Sequence, residues 1–213
     1  MSAELPEGAW PWLHAFAKWI GTWLFRPLFR LHLHHLDRIP ATGAVVLVAN
    51  HSSLVDGPLL FGLTRRRSAF LVKQEMFDGP LGPVLVRLGQ IPVRRGAADR
   101  RPLTTALVVL RAGGLVGVFP EGTRGEGEVV AAHNGAAWLA RTSGADVLPV
   151  VCRGTRRPAG RRRRFRPRVD VLVGKPLRVP SGGGRAGLTA GTEAVRAELA
   201  RMVRELDDIR STA

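Results

Sequence analysis

A histidine and an aspartate follow an apolar run of the chain and could act as a pair. His51 and Asp56 lie five residues apart in the stretch NHSSLVD, directly after the run Val45–Ala49. An imidazole takes up and releases protons near neutral pH, and a carboxylate beside it can fix its tautomer. Five residues turn a helix through a net angle of about 140°, so the two side chains can meet only across an irregular turn. The alternative is a surface histidine beside a helix cap, since Asp56 or Gly57 is expected to cap a helix that begins near Pro58.

A carboxylate, a hydroxyl and a guanidinium follow a second apolar run. The run Leu115–Val118 leads into the hexapeptide FPEGTR, which places Glu121, Thr123 and Arg124 within one short turn. Ligands of α/β proteins bind preferentially at the carboxyl ends of strands, where this turn and the His51 stretch are both expected. Taken alone, the same residues would be a Pro-Glu-Gly turn with an incidental arginine.

Two further apolar runs complete the set of candidate blocks. Residues 89–96 (GQIPVRRG) place Arg94 and Arg95 at the end of a third run, and residues 147–151 (VLPVV) form a fourth run that contains a proline. Adjacent guanidinium groups suit a phosphate or carboxylate ligand. The stretch around His51 therefore does not stand alone.

Short apolar runs alternate with helical patterns after Gly43, which predicts an α/β domain. The predicted strands are residues 44–49, 69–73, 88–93, 115–119, 147–151 and 169–173. The predicted helices are residues 58–66, 79–87, 101–112 and 135–143. A closing amphipathic helix, with apolar residues from Val195 to Ile209, follows a loop at residues 180–187. We expect a single α/β domain with a mixed central sheet flanked by helices.

The N-terminal segment, residues 1–36, carries four of the five tryptophans and reads as an amphipathic helix. His14, Lys18, Thr22, Arg26 and Arg30 recur every four residues as one polar stripe, and Pro27 predicts a kink. Its apolar length is too short and too interrupted for a membrane-spanning helix, and its acidic start does not fit a cleaved signal peptide. Two alternatives remain, a helix packed on the core of the domain at residues 37–213, or an interfacial helix in a lipid headgroup layer.

The chain is strongly basic. Lysine and arginine number 32 and aspartate and glutamate 17, a formal charge of +15, and only three of the basic residues are lysines. Arginine matches phosphate with a planar fork, so the composition suits phosphate-bearing ligands, anionic lipid surfaces or nucleic acid. The arginine-dense residues 153–168 are expected to form an exposed connection between two strands, because so many like charges cannot be buried.

Several chemistries find no support in the sequence. The single cysteine, Cys152, cannot form an intrachain disulfide, and the six histidines show no metal-ligand spacing. The chain contains neither a G-x-S-x-G elbow nor a G-x-x-x-x-G-K-[ST] phosphate loop.

Taken together, the four blocks resemble the glycerolipid acyltransferases. Residues 50–56 are similar to the family's signature of a histidine and an aspartate separated by four residues, including Asn50 and Ser53. Residues 119–124 are similar to the family's Phe-Pro-Glu-Gly-Thr-Arg block at every position. Residues 147–151 look like its final proline-containing strand. In residues 89–95, Arg94 stands where the family often has an acid, and Arg95 takes the matching basic position. The resemblance covers about residues 39–173.

The resemblance implies an enzyme that moves a fatty acyl group from an acyl thioester to the free hydroxyl of 1-acylglycerol-3-phosphate, giving phosphatidic acid. It implies His51 as general base and Asp56 as its partner. It implies substrate binding by Arg95, Glu121, Gly122, Thr123 and Arg124. It implies no metal or other cofactor, with acyl-CoA or acyl carrier protein as co-substrate.

The expected partners are a lysophospholipid acceptor, the acyl donor and an anionic membrane surface, with no nucleic acid. The expected location is the cytoplasmic face of a membrane, as a peripheral or monotopic protein. Two alternatives remain, a family member with another lysolipid acceptor, and a non-enzymatic basic domain that binds nucleic acid or coats a membrane.

Overall fold

A computed structural model describes residues 5–94, 99–122, 125–157, 165–180 and 182–212, and in these ranges strands alternate with helices. The strands are β1 (Arg30–His34), β2 (Val45–Ala49), β3 (Ser68–Lys73), β4 (Ile91–Val93), β5 (Leu115–Val118), β6 (Asp146–Arg153) and β7 (Arg168–Val173). The helices are α1 (Pro11–Leu28), α2 (Asp56–Leu63), α3 (Gly82–Arg87), α4 (Arg101–Arg111), α5 (Gly135–Ser143) and α6 (Gly184–Ser211). The predicted α/β class is confirmed.

The strands form one mixed sheet in the order β1-β7-β6-β2-β5-β3-β4. Every neighbouring pair is parallel except β6 and β7, which run antiparallel. Strand β2 lies at the centre, between β6 and β5. Because β2, β5 and β6 point the same way, their carboxyl ends meet at one edge of the sheet, which is where such sheets bind ligands.

Helices cover both faces of the sheet, and the alternation of side chains along each strand divides the core into two layers. On β2, Val46 and Val48 pack on one face with α4, α5 and α6. Val45, Leu47 and Ala49 pack on the other face with α1 and α2. All five β2 residues are buried, as expected of a parallel strand covered on both faces. This packing fixes the strand end from which His51 extends.

Most predicted boundaries agree with the structure to within two residues, but four were wrong. The predicted helix 58–66 ends at Leu63, and the predicted helix 79–87 begins only at Gly82. The predicted strand 88–93 begins only at Ile91, because Leu88 and Gly89 close α3 with hydrogen bonds to Val84 and Val86 and Gly89 takes a φ of +71°. The predicted loop 180–187 ends early, since α6 already begins at Gly184. The exposed first turns of α6 carry no apolar stripe that could reveal them in the sequence.

The N-terminal helical stripe does not reach Arg30, contrary to the prediction. Helix α1 ends at Leu28, one residue after Pro27, and Phe29 has extended backbone angles. Proline lacks the N–H that would continue the helical hydrogen bonds. Arg30 instead begins β1, an unpredicted edge strand that pairs in parallel with β7. In the described part of the chain, no helix has the length and apolar character needed to cross a bilayer.

The first part of the polar stripe of α1, His14, Lys18 and Thr22, faces the protein, whereas Arg26 and the aromatic side are exposed. His14 is fully buried, and its Nδ1 lies 2.9 Å from the carbonyl oxygen of Leu88. The Lys18 ammonium donates to the carbonyl oxygens of Phe61 and Thr64, both at 2.7 Å, and so covers the last turn of α2. The outward side carries large apolar residues that are half exposed or more, namely Trp12, Phe16, Trp19 and Trp23. Polar groups therefore hold α1 against the domain.

Candidate active site

His51 and Asp56 meet at the carboxyl end of β2, as their spacing allowed. The Nδ1 atom of His51 lies 3.1 Å from Oδ2 of Asp56, across the non-helical turn between them. The Asp56 side chain is fully buried, whereas 13% of the His51 side chain is exposed. The predicted capping role is wrong, because α2 begins at Asp56 itself, and its cap residue Val55 makes no side-chain bond. The carboxylate turns back toward the loop and does not cap the helix.

Hydrogen-bond donors surround the buried Asp56 carboxylate. The backbone N–H groups of Ser52 and Ser53 donate to Oδ2 at 2.8 and 2.7 Å. The hydroxyl of Thr155 donates to Oδ1 at 2.5 Å. A buried carboxylate needs such donors, and its place in the first turn of α2 adds a favourable helix dipole. Because an ionised carboxylate only accepts, His51 donates through Nδ1–H, and Nε2 is the acceptor nitrogen of the neutral ring.

The end of β5 supplies a second set of contacts to His51. The Phe119 ring stacks on the imidazole with a centroid separation of 4.2 Å and an interplanar angle of 25°. Glu121 accepts the backbone N–H of His51 at 2.8 Å through Oε1, and the His51 carbonyl accepts the N–H of Gly125 at 3.0 Å. Burial raises the pKa of Glu121, and the His51 N–H opposes that shift. Glu121, predicted as a substrate-binding residue, thus holds the backbone of the His51 loop.

Gly122 occupies a position that only glycine fits. Its φ is +67°, and an added Cβ would lie 2.7 Å from the ring of His133. The backbone N–H of His133 donates to the carbonyl oxygen of Pro120 at 2.8 Å, which holds the backbone of His133 beside this turn. Gly122 therefore lets the β5–α5 loop fold tightly beside His51. The other predicted substrate-binding residues, Arg95, Thr123 and Arg124, lie outside the described residues.

Asn50 has a role that sequence reasoning did not assign. Its buried amide donates to the carbonyl oxygens of Gly127 and Cys152, at 3.2 and 3.0 Å, and accepts the N–H of Cys152 at 2.7 Å. These bonds join the end of β2 to β6 and to the β5–α5 loop. Burial raises the pKa of the Cys152 thiol, which therefore stays neutral and unreactive. An asparagine at the end of a fully apolar strand was the available signal, since a buried amide needs partners.

Thr155 was also missed, and no sequence signal could have found it. It lies 99 residues after Asp56, and the two meet only because β6 pairs with β2 in the folded sheet. The sequence indicated an exposed arginine-rich connection after β6, and Thr155 belongs to its first residues.

The His51 imidazole forms part of the wall of a cavity of about 670 Å³. Most of the wall is apolar and includes Phe61, Phe70, Met76, Leu85, Leu88 and Phe119. Lys73, Arg94 and His133 add positive or polar groups to the lining. Such a cavity suits a long apolar chain whose polar end lies beside the imidazole. Among the described residues, no group of three or more histidine, cysteine, aspartate and glutamate side chains is arranged to hold a metal ion.

Comparisons with known proteins agree with this site. A model of the family described as Acyltransferase matches residues 30–153. The 1-acyl-sn-glycerol-3-phosphate acyltransferase of Bacillus subtilis is 26% identical over 186 residues, which are 83% of this chain and 90% of that protein. A protein of the same name from Chlamydomonas reinhardtii is 33% identical over 161 residues, 71% of this chain and 48% of that protein.

A solved structure has the same fold. The crystal structure of the 1-acyl-sn-glycerophosphate (LPA) acyltransferase PlsC from Thermotoga maritima matches with a TM-score of 0.67 and 28% identity. The match covers 92% of this chain and 78% of that chain. The predicted resemblance is confirmed, since the family model spans more than half of the chain. The chain is an enzyme that belongs to the acyltransferase family.

Proposed function

We propose that the protein transfers a fatty acyl group from an acyl thioester to the free hydroxyl of 1-acylglycerol-3-phosphate, giving phosphatidic acid. The observation that carries the chemistry is the His51–Asp56 pair, bonded through Nδ1 and Oδ2 at 3.1 Å, in the wall of an apolar cavity. The names of the relatives from Bacillus subtilis and Thermotoga maritima support the acceptor.

In the proposed reaction His51 acts as general base. Its Nε2 removes the proton of the acceptor hydroxyl, whose oxygen attacks the thioester carbonyl carbon. Collapse of the tetrahedral intermediate breaks the C–S bond, and the leaving thiolate takes the proton from the imidazolium. Asp56 stabilises the imidazolium while it exists. A general base of this kind contributes about 10² to 10⁴ in rate.

The acyl chain of a substrate would lie in the apolar cavity. Phe61, Phe70 and Leu85 offer it hydrocarbon contact, and each methylene removed from water contributes about 0.8 kcal/mol. Arg95 and Arg124, with Thr123, would bind the phosphate of the acceptor, as their motif positions imply. Arg94, which lines the cavity, adds a further positive charge.

The aromatic side of α1 would lie in the headgroup layer of an anionic membrane, on the cytoplasmic face. Arg26 and Arg87 stack over Trp23 and Trp10, at 5.1 and 4.8 Å from the ring centroids, which puts cations beside the indoles. Amphipathic helices with tryptophan on one side and basic residues beside it bind at that depth. The enzyme would then meet its acceptor in the bilayer without spanning it.

An acceptor screen tests the proposed function. Purified full-length protein is incubated with palmitoyl-CoA, or with palmitoyl acyl carrier protein, and release of free thiol is followed with each lysolipid in turn. We expect the highest kcat/KM with lysophosphatidic acid and a much lower value with lysophosphatidylcholine. A higher kcat/KM with another lysolipid would identify that lysolipid as the acceptor in place of lysophosphatidic acid. The absence of thiol release with every acceptor would contradict acyl transfer from a thioester to a lysolipid.

A further inference from the structure

We infer that Thr155 is a positioning residue for acyl transfer, because its hydroxyl fixes the Asp56 carboxylate in the orientation that receives the Nδ1–H of His51. The inference rests on the proposed roles of His51 and Asp56. Thr155 lies two residues after β6 and is almost fully buried, with 7% of its surface exposed.

The direction of the hydrogen bonds follows from the chemistry of the groups. The Asp56 carboxylate can only accept, so the Thr155 hydroxyl donates its proton to Oδ1. The Thr155 oxygen then accepts from the Ser52 hydroxyl, 3.2 Å away. A directed chain therefore runs from Ser52 through Thr155 to Asp56. Ser52 also donates its backbone N–H to the other carboxylate oxygen, so both ends of the chain are attached to the same turn.

The two carboxylate oxygens have different donors. Oδ2 receives the N–H groups of Ser52 and Ser53 and the Nδ1–H of His51, whereas Oδ1 receives the Thr155 hydroxyl. Without that hydroxyl, Oδ1 loses a donor in a buried position, and the carboxylate can rotate about its Cβ–Cγ bond. Rotation would misalign the bond to His51 that holds the tautomer, so the hydroxyl acts on the reaction through Asp56.

The backbone on both sides of Thr155 is held in place, as a positioning residue requires. Arg153 forms ion pairs with Glu128 and Asp207 at 2.6 and 2.7 Å, which attach the end of β6 to the β5–α5 loop and to α6. Arg156 donates to the carbonyl oxygen of Gly125 at 3.2 Å. The N–H of Gly125 in turn binds the carbonyl oxygen of His51. The hydroxyl of Thr155 is thus fixed relative to the His51 loop.

Substitutions of the hydroxyl test the inference. Thr155→Val replaces the hydroxyl by a methyl group of similar size, and Thr155→Ser keeps the hydroxyl. We expect Thr155→Val to lower kcat about 10- to 100-fold, the range for a lost hydrogen bond to a charged group, with KM for both substrates within about twofold. Thr155→Ser should keep kcat within about threefold of the wild-type value. Thr189→Val, at an exposed threonine of α6, is the matched control and should leave kcat unchanged.

A double-mutant comparison separates positioning from a general structural role. If Thr155 acts through Asp56, adding Thr155→Val to Asp56→Asn should cause no further loss of kcat. Additive losses, equal kcat values for Thr155→Val and wild type, or no rescue by serine would each overturn the inference. If Thr155→Val does not fold, Thr155→Ala, which leaves space instead of filling it, takes its place. Wild-type protein that fails to acylate lysophosphatidic acid would instead overturn the proposed function.

Discussion

His51 is held by three groups, one from its own turn after β2 and two from the end of β5. Asp56 binds its Nδ1, Phe119 stacks on its ring, and Glu121 binds its backbone N–H. The ring therefore keeps one tautomer and one orientation, with Nε2 as the remaining acceptor. In the proposed role of general base, a ring so restrained would lose little freedom when the acceptor hydroxyl binds, which is the condition for efficient proton transfer.

At this scale we predict that Asp56→Asn keeps the fold and loses most of the activity. The asparagine Oδ1 can accept the bonds from Ser52, Ser53 and His51, and its Nδ2 can donate to the Thr155 oxygen, so the hydrogen bonds of the turn survive. The substitution removes the negative charge that stabilises the imidazolium. We expect kcat to fall about 100-fold or more, with an unchanged melting temperature. A kcat within about tenfold of the wild-type value would remove Asp56 from the mechanism.

Among the elements, α1 is the one whose packing differs most from its sequence pattern. An ordinary amphipathic helix turns its apolar side to the core, but α1 turns His14 and Lys18 inward and its tryptophans outward. Gly21 and Gly62 let α1 approach α2 closely, since a Cβ on Gly62 would lie 3.1 Å from the backbone of Gly21. The inward contacts reach Phe61, which lines the cavity, because Lys18 lies 4.6 Å from the centre of that ring.

The partly buried Lys18 predicts a stability that depends on pH. Burial lowers the pKa of Lys18 from 10.5 to about 7, so between these values the unfolded chain binds more protons than the folded one. The contribution of Lys18 to the free energy of unfolding is therefore fully present above pH 10.5 and is lost as the pH falls through 7. As the pH rises from 7 toward 10.5, the free energy of unfolding of the wild type should rise relative to that of Lys18→Met. The slope of this difference should approach about 1.4 kcal/mol per pH unit.

Urea denaturation at pH 7, 8 and 9 measures this difference. Lys175→Met, at an exposed lysine, is the control and should follow the wild type at each pH. Parallel pH dependences for wild type and Lys18→Met would show that Lys18 keeps the same charge in the folded and unfolded states.

The elements near the site could be predicted from the sequence because their signals are local. The apolar runs that precede His51 and Glu121 predicted β2 and β5, together with the candidate residues that follow each strand. The contacts of Asn50 with Cys152 and of Asp56 with Thr155 could not be predicted, because they depend on β6 lying beside β2. Strand β1 was missed because five alternating residues after a proline carry little signal beside a long helical pattern. The inward side of α1 was undetermined because either side of that helix could be buried.

The whole molecule combines a formal charge of +15 with an exposed aromatic surface on one helix. The proposed acyl donor and the proposed anionic membrane are both negatively charged, so the net charge would favour encounter with each of them. Phe165, which is 93% exposed, lies next to Arg166, whose guanidinium donates to the carbonyl oxygen of Arg26 near the end of α1. The surface of α1 therefore continues onto the β6–β7 connection.

We predict that the tryptophans of α1 bind the protein to anionic vesicles. Replacing Trp12, Trp19 and Trp23 by glutamine should lower the partition coefficient on phosphatidylglycerol vesicles at least about tenfold, because we expect these side chains, each more than half exposed, to insert into the interface. Raised salt should weaken binding of the wild type without abolishing it, since the Debye length falls to about 3 Å at 1 M and affects only the electrostatic part.

Flotation with vesicles at low and high salt measures the binding. Val108→Gln is the control, since Val108 is 57% exposed on α4, on the opposite face of the sheet. Substitution is a sharper test than removal of residues 1–36, which would also remove β1 from the sheet and uncover the α2 surface. A triple variant that floats as well as the wild type would place the membrane contact elsewhere.

In the proposed mechanism the His51–Asp56 pair drives acyl transfer to a lysophospholipid hydroxyl. Its most direct test is the rate of phosphatidic acid formation from labelled lysophosphatidic acid and palmitoyl-CoA by wild type and by His51→Ala, both verified as folded by circular dichroism. We predict that the wild type forms phosphatidic acid in step with thiol release, and that His51→Ala is slower by about 10² to 10⁴. A His51→Ala variant that keeps more than about a tenth of the wild-type rate would contradict the account.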